Sequence, residues 1–195
     1  MSTGTSVAPA LRERLLAEAA ELTRADGWAS VTMGKLAARA GVSRQTVYNE
    51  LGSKPELAEA LMLRETDGFA TGVGDVLARH PADPVAGVTA AVRYALEAAQ
   101  ANPLLRTVLS GSSGGRESLL PLLTTRSGPV LEQAVAAIAP MLRQCYPAAP
   151  LTPDEWTVAV ESLVRLLLSH LVRPTAGVDD AAERMGWVVA RLLGG

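Results

Sequence analysis

The stretch Ala40-Gly41-Val42-Ser43-Arg44-Gln45-Thr46-Val47-Tyr48-Asn49-Glu50-Leu51-Gly52-Ser53-Lys54-Pro55-Glu56-Leu57 decides the fold. It reads as the end of one short helix, a tight turn, a second short helix, and the opening of a third. Thr32 is placed to cap the helix that ends at Ala40, and Ser43 to cap the one that runs to about Glu50. Two short helices joined by a glycine-containing three-residue turn match the helix-turn-helix unit. Gly41 supplies the left-handed turn conformation. Ala37 stays small where the second helix crosses the first. Val42 and Val47 fill the space between them, and Leu36 and Leu51 complete that core. The outward face of the second helix then carries Arg44, Gln45, Thr46, Tyr48 and Asn49. Arg and Gln suit the edges of guanine and adenine, while hydroxyls and amides suit phosphates. Ser53-Lys54-Pro55-Glu56 is a capping box for the next helix, with Pro55 tolerated in its first turn.

On either side, punctuation recurs at helix-forming intervals. A first helix is predicted from about Pro9 to Ala25, with Leu11, Leu15, Ala19 and Leu22 on one face and Asp26-Gly27 as its stop. Beyond the decisive stretch, Gly68, Gly72 and Gly74 interrupt the helix begun at Ser53, either ending it near Gly68 or forming a hinge. Asp83-Pro84 opens a helix to about Ala101, and Asn102-Pro103 opens another. Gly111–Gly115 is a flexible connector, followed by a helix through Leu123. Ser127-Gly128-Pro129 starts a helix to about Cys145, Thr152-Pro153-Asp154-Glu155 is a second capping box, and Arg173-Pro174 ends its helix. A last helix spans about Val178 to Leu193. No credible strand pair and no internal repeat is present. The fold class is therefore all-α, with about nine helices: a three-helix helix-turn-helix domain (1–52) and a C-terminal helical bundle with a two-helix dimerisation face (53–195).

Composition narrows the functional classes. Hydrophobic residues make up 48% of the 195, enough for a core, which excludes a disordered chain. No window offers the roughly 18 uncharged apolar residues of a membrane span, and Met1–Ala10 lacks the basic start of a signal peptide. A single cysteine, Cys145, forms no internal disulfide and fits a reducing cytoplasm. The net charge is −2, but residues 1–55 hold seven Lys/Arg against five Asp/Glu, and the rest eleven against fifteen. That is the sign expected of a DNA-reading head on a body that does not touch DNA. Enzymatic chemistry finds no support: two separated histidines and one cysteine assemble no His/Cys metal site, and Gly111–Gly115 lacks the ending of a phosphate-binding loop. Neither a cofactor nor a metal is implied.

The register from turn to Tyr48, Ser53-Lys54 and the next helix start resembles the DNA-binding domain of the tetracycline-repressor family of transcriptional regulators. The resemblance covers about residues 9–62. It implies that Thr32, Ser43, Tyr48 and Lys54 contact phosphates, and that Arg44, Gln45 and Thr46 face bases with Asn49 beside them. Two positions depart from the family's habit. Leu51 stands where an aromatic is common, a benign exchange in the core. Glu50 stands where a basic or aromatic residue is common, and phosphate repels its carboxylate unless it meets a cytosine amine or an arginine.

The body is expected to hold a largely apolar ligand pocket drawing on Phe69, Val73, Tyr94, Leu105, Leu109, Glu132, Val135 and Ile138. His170 is either a further pocket group or a hydrogen-bonded interface histidine. Trp156, Val160, Leu163 and Leu167 form a stripe on the eighth helix and Met185, Val188 and Leu192 one on the ninth. Paired with their twofold mates these make a four-helix dimer interface. The expected partners are thus double-stranded operator DNA, a second copy of the chain and a small apolar or amphipathic effector, with no membrane. The resemblance implies a cytoplasmic repressor of palindromic operators, released when effector favours a head spacing that mismatches the DNA grooves. The competing readings are a DNA-binding regulator without an effector, and a helical binding protein or enzyme with a vestigial head. The contact residues argue against the last.

Overall fold

The computed structural model describes residues 7–109 and 119–194. The described residues form nine α-helices and no strand: α1 (Val7–Asp26), α2 (Met33–Ala40), α3 (Arg44–Leu51), α4 (Lys54–Leu77), α5 (Pro84–Ala101), α6 (Pro103–Leu109), α7 (Gly128–Cys145), α8 (Pro153–Val172) and α9 (Val178–Leu192). Single 3-10 turns lie at Trp28–Ser30 and Leu120–Leu123. The helix expected to run through Leu123 is thus only that turn where it is described, and the Gly111–Gly115 connector lies outside the described residues.

Local chemistry sets the boundaries. Thr152 and Glu155 form a reciprocal capping box at the start of α8. The Asp83 carboxylate accepts from the Ala86 N–H at the start of α5 (2.9 Å). Gly41, with φ at +65°, closes α2 by donating its N–H back to the carbonyls of Ala37 and Ala38, a backbone conformation in which a side chain would be strained.

The helices group into two compact units, Met1–Arg64 with Pro103–Leu120, and Glu65–Asn102 with Pro121–Gly195. In the first, α1 lays Leu15, Leu16, Ala19 and Leu22 against α2, α3 and α6, and all four are buried. Leu57, Ala58, Leu61 and Met62 of α4 are buried too, so the first unit extends past Gly52 into the first half of α4. Leu104, Leu105 and Val108 of α6 add to the same core. In the second unit α5 packs along α9 and α7 along α8. The α5–α9 approach is close because position 186 is glycine: a Cβ there would lie 2.1 Å from the Thr89 hydroxyl.

α4 runs unbroken through its three glycines, so it neither ends nor restarts near Gly68. Space is what glycine supplies at two of the three. A Cβ on Gly72 would lie 1.9 Å from the Tyr94 hydroxyl, and one on Gly74 3.2 Å from the sulfur of Met141. Tyr94 is half-buried and meets Gly72 with the far end of its side chain, so it is able to swing aside. Gly72→Ala should therefore change stability little, the gain in helix propensity of about 1 kcal/mol offsetting the displaced ring. In a Tyr94→Ala background the same substitution should be stabilising by that amount in urea titrations. Equal stabilisation in both backgrounds would show that the tyrosine is not what demands glycine.

Candidate nucleic-acid interface and effector cavity

α3 is held from beneath and capped from its own start. Leu36, Ala37, Val47 and Leu51 are buried between α2 and α3, while Val42, expected to plug the same space, is only half-buried. The Ser43 hydroxyl accepts from the Thr46 N–H (3.0 Å) and lies 2.8 Å from the Thr46 hydroxyl. Thr32 caps α2 in the same way, accepting from the Lys35 N–H at 3.2 Å. Two of the three hydroxyls expected to meet phosphate, those of Thr32 and Ser43, therefore also fix a helix start, next to backbone N–H groups that favour an anion.

On the outward face, Arg44, Gln45, Tyr48 and Asn49 are exposed and Thr46 is half-exposed. They are ordered in pairs one helical turn apart. Arg44 lies over the Tyr48 ring, 5.7 Å from its centroid, and Gln45 donates to the Asn49 side chain at 2.9 Å. Two arginines that the sequence reading passed over fix the orientation of this unit. From α1, Arg14 donates to the Ala40 carbonyl at the end of α2 (3.0 Å), and Arg12 to the Glu50 carbonyl at the end of α3. Carbonyls at helix ends lack intrahelical partners and carry the negative end of the dipole, so a guanidinium suits them.

Lys54 begins α4 with its ammonium 5.3 Å from the centre of the buried Trp28 ring. Glu56, close by in the first turn, accepts from the Ser53 N–H (2.6 Å) and hydroxyl (2.7 Å). Those bonds, the hydroxyl's first, hold its carboxyl below the usual carboxylate range. A carboxylate is thereby bound to the backbone two residues from Lys54. Arg44→Ala or Gln45→Ala should cost about 1–3 kcal/mol on a preferred duplex and relax preference at one base pair. Lys54→Ala should instead weaken all duplexes alike and lower the salt slope by about one. Affinities measured from about 50 to about 200 mM salt, on specific and scrambled duplexes, separate the two classes. A Lys54→Ala loss confined to one sequence would overturn the assignment.

The second unit holds an apolar cavity of about 60 Å³ that opens to solvent. It is lined by Val73 and Leu77 of α4, Val88, Ala91, Val92 and Ala95 of α5, Ile138 and Leu142 of α7, Val160, Leu163, Val164 and Leu167 of α8, and Met185 of α9. Every lining residue is apolar. Of the expected pocket residues, Val73 and Ile138 are here. Phe69 and Tyr94 line a shallow groove with Glu65, Ala98 and Asn102 instead. Glu132 and Val135 line a groove on α7 and α8 beside Arg143, Thr157 and Glu161. Leu105 and Leu109 belong to α6 in the first unit, and half-buried His170 is not among the lining residues. Four of the residues expected at a dimer face, Val160, Leu163, Leu167 and Met185, are walls of the cavity, and Trp156 is buried as well. Val188 is half-buried. Leu192 does face outward at 45% exposure, in company with Val158, Leu166 and Trp187. The apolar stripe read on α8 is thus its inner face. Of α5 the expectation named Tyr94 and missed the apolar face Val88, Ala91, Val92 and Ala95, which recur at helical spacing.

A helix-turn-helix with an ordered, cation-bearing reading face, followed by a helical body enclosing an apolar cavity, defines a DNA-binding regulator. Residues 15–61 match the family model of bacterial regulatory proteins of the tetR family, and residues 83–191 that of the bacterial tetracycline repressor C-terminal domain. The chain is 31% identical over 183 residues to the HTH-type transcriptional regulator AlkX of Mycobacterium tuberculosis, covering 94% of this chain and 83% of that protein. Among solved structures, the TetR family repressor AlkX of Dietzia sp., implicated in biodegradation of n-alkanes, superposes with a TM-score of 0.79 at 27% identity, covering 93% of this chain and 94% of that one. The FadR repressor of Thermus thermophilus, solved with lauroyl-CoA, shares the fold with a TM-score of 0.63 at 22% identity, covering 94% of each chain. The chain belongs to the TetR family of transcriptional regulators. Among the described residues no helix is long and apolar enough to cross a membrane.

Proposed function

We propose that this protein is a homodimeric cytoplasmic repressor of a palindromic operator, released by a small molecule that is apolar over most of its length. The observation that carries the effector class is the wholly apolar lining of the cavity, which desolvates no polar group when hydrocarbon enters and rewards each buried methylene with about 0.8 kcal/mol. A relative implicated in n-alkane biodegradation and a neighbour of the same fold bound to an acyl-CoA agree with that class. Thr32, Ser43, Tyr48 and Lys54 are assigned to phosphates and Arg44, Gln45 and Thr46 to bases, with Asn49 supporting Gln45. The outward residues Val158, Leu166, Trp187 and Leu192 are assigned to the twofold seam.

Release follows from linkage. A ligand shifts an equilibrium only by its difference in affinity for the two states, here two spacings of the recognition helices. α4 is the covalent link, with Lys54 at one end and cavity-lining Val73 and Leu77 at the other. The test is selection of binding sites from random duplexes, followed by operator titration with and without n-decane. An enriched inverted repeat whose affinity falls roughly tenfold or more in decane-saturated buffer is expected, a coupling of about 1.4 kcal/mol. Enrichment of no common half-site sinks the DNA reading, and unchanged affinity sinks release by an apolar effector.

A further inference from the structure

The apolar cavity measures about 60 Å³, whereas roughly 150 Å³ of dry space is what a benzene-sized molecule takes. A chain of ten carbons therefore needs room beyond it. A groove of about 370 Å³ lies on α4 and α5 in the same unit. The two spaces share their helices. On α4, Phe69 lines the groove and Val73, one turn on, lines the cavity; on α5, Ala98 lines the groove and Ala95 the cavity. Tyr94 stands at the junction. It lines the groove, its neighbours Ala91 and Ala95 line the cavity, and its hydroxyl reaches Gly72, the residue before Val73, where a Cβ would lie 1.9 Å from it. The half-buried ring thus crosses from α5 to α4 at the level where groove gives way to cavity, and glycine at 72 is what lets it. Hydrocarbon can follow this path. Phe69, Ala98 and Ala101 are apolar, and the one lining carboxylate, Glu65, sits at the end remote from the cavity, bound by the Asn102 amide (2.6 Å). The groove on α7 and α8 instead carries Glu132, Arg143, Glu161 and Arg165, charges that hydrocarbon would strip of water.

We infer that the effector's hydrocarbon chain runs from the cavity into the α4–α5 groove, and that Tyr94 is the residue that sets how long a chain is accepted. This rests on the cavity being the effector site. α4 advances only about 6 Å between the cavity residues Leu77 and Val73, but about 18 Å between Leu77 and Glu65 at the far end of the groove. A short chain needs little beyond the first span. A longer one has to turn the Tyr94 ring off Gly72 and lie along Phe69 and Ala98. Displacing the ring from its preferred position is a cost that only long chains meet, so Tyr94 grades hydrocarbons by length without offering them a polar contact.

The experiment uses the full-length protein and two probes, n-hexane and n-tetradecane, each read as the rise in melting temperature in buffer saturated with it. At saturation each hydrocarbon has the activity of its own liquid, so the comparison reports the site and not solubility. Tyr94→Ala joins the two spaces. It should favour tetradecane over hexane roughly tenfold more than wild type does, a further rise of about 3–6 °C for the longer probe. Ala98→Phe fills the groove and should move the preference the other way, towards hexane. It decides the matter should Tyr94→Ala not fold, and an unchanged preference there overturns the inference. A chain preference in Tyr94→Ala that matches wild type overturns it as well, while leaving the cavity reading intact. So does an equal gain for both probes, since a merely enlarged cavity would give that. A wild type that responds to neither probe removes the cavity reading and the role of Tyr94 with it.

Discussion

Leu166→Glu combined with Trp187→Glu is expected to yield a folded monomer that no longer holds its operator tightly. The two side chains are 41% and 63% exposed, and surface substitutions of this kind change folding stability by no more than about 0.5 kcal/mol. Across a twofold seam the same carboxylates would be buried without a partner, which costs several kcal/mol each. Once the dimer is lost, the two recognition helices no longer bind as one ligand, and about 10²–10⁴ in operator affinity goes with that linkage. Val160→Glu is the contrast. That side chain is 1% exposed on the inner face of the same helix, so the charge should unfold the second unit rather than dissociate it. Sedimentation equilibrium, helical circular dichroism and operator titration at one fixed salt concentration read the three properties. A double-glutamate variant that sediments as an unchanged dimer places the seam elsewhere.

The contrast between Leu166 and Val160 also marks where sequence reading stops. Helix ends were legible because caps are local chemistry: Asp83, Thr152 with Glu155, and Gly41 each act within four residues of themselves. The reading face of α3 was legible for a similar reason, since Val47 and Leu51 must turn inward and thereby expose Arg44, Gln45, Tyr48 and Asn49. α8 was harder because it is apolar on two sides. Periodicity finds Trp156, Val160, Leu163 and Leu167 as one stripe, but does not say whether that stripe meets its own chain or another copy. The weaker second face, Val158 and Leu166, only gains meaning once the first is seen to be covered. The expected pocket residues lie apart for want of partner information in the sequence. Leu105 and Leu109 have the composition of a pocket wall, yet α6 packs on α1, a neighbour remote in sequence. Gly72 read as a backbone device because Tyr94, the group it accommodates, lies 22 residues away in the chain.

Trp28→Ala is expected to abolish DNA binding while leaving the cavity-bearing unit folded. Trp28 is 2% exposed on the turn between α1 and α2 and is the largest fully buried side chain of the chain's described residues. Truncating such a residue costs about 3–5 kcal/mol, a large share of the roughly 5–15 kcal/mol by which a whole domain is stable. The first unit is the smaller of the two, so the loss should fall where least stability is in reserve. A second effect adds to it, because the ring lies beneath the Lys54 ammonium and helps to hold that cation at the start of α4. Trp28→Phe should separate the two contributions. It keeps most of the buried area and a weaker aromatic face, so the unit should stay folded and bind all duplexes modestly less well, as a weakened phosphate contact requires. Hydrogen exchange gives the decisive reading for Trp28→Ala: protection should be lost across α1, α2 and α3 and retained across α5, α7, α8 and α9. Protection that falls evenly along the whole chain would mean that the two units unfold as one, and that Trp28 supports the molecule rather than its DNA-reading half.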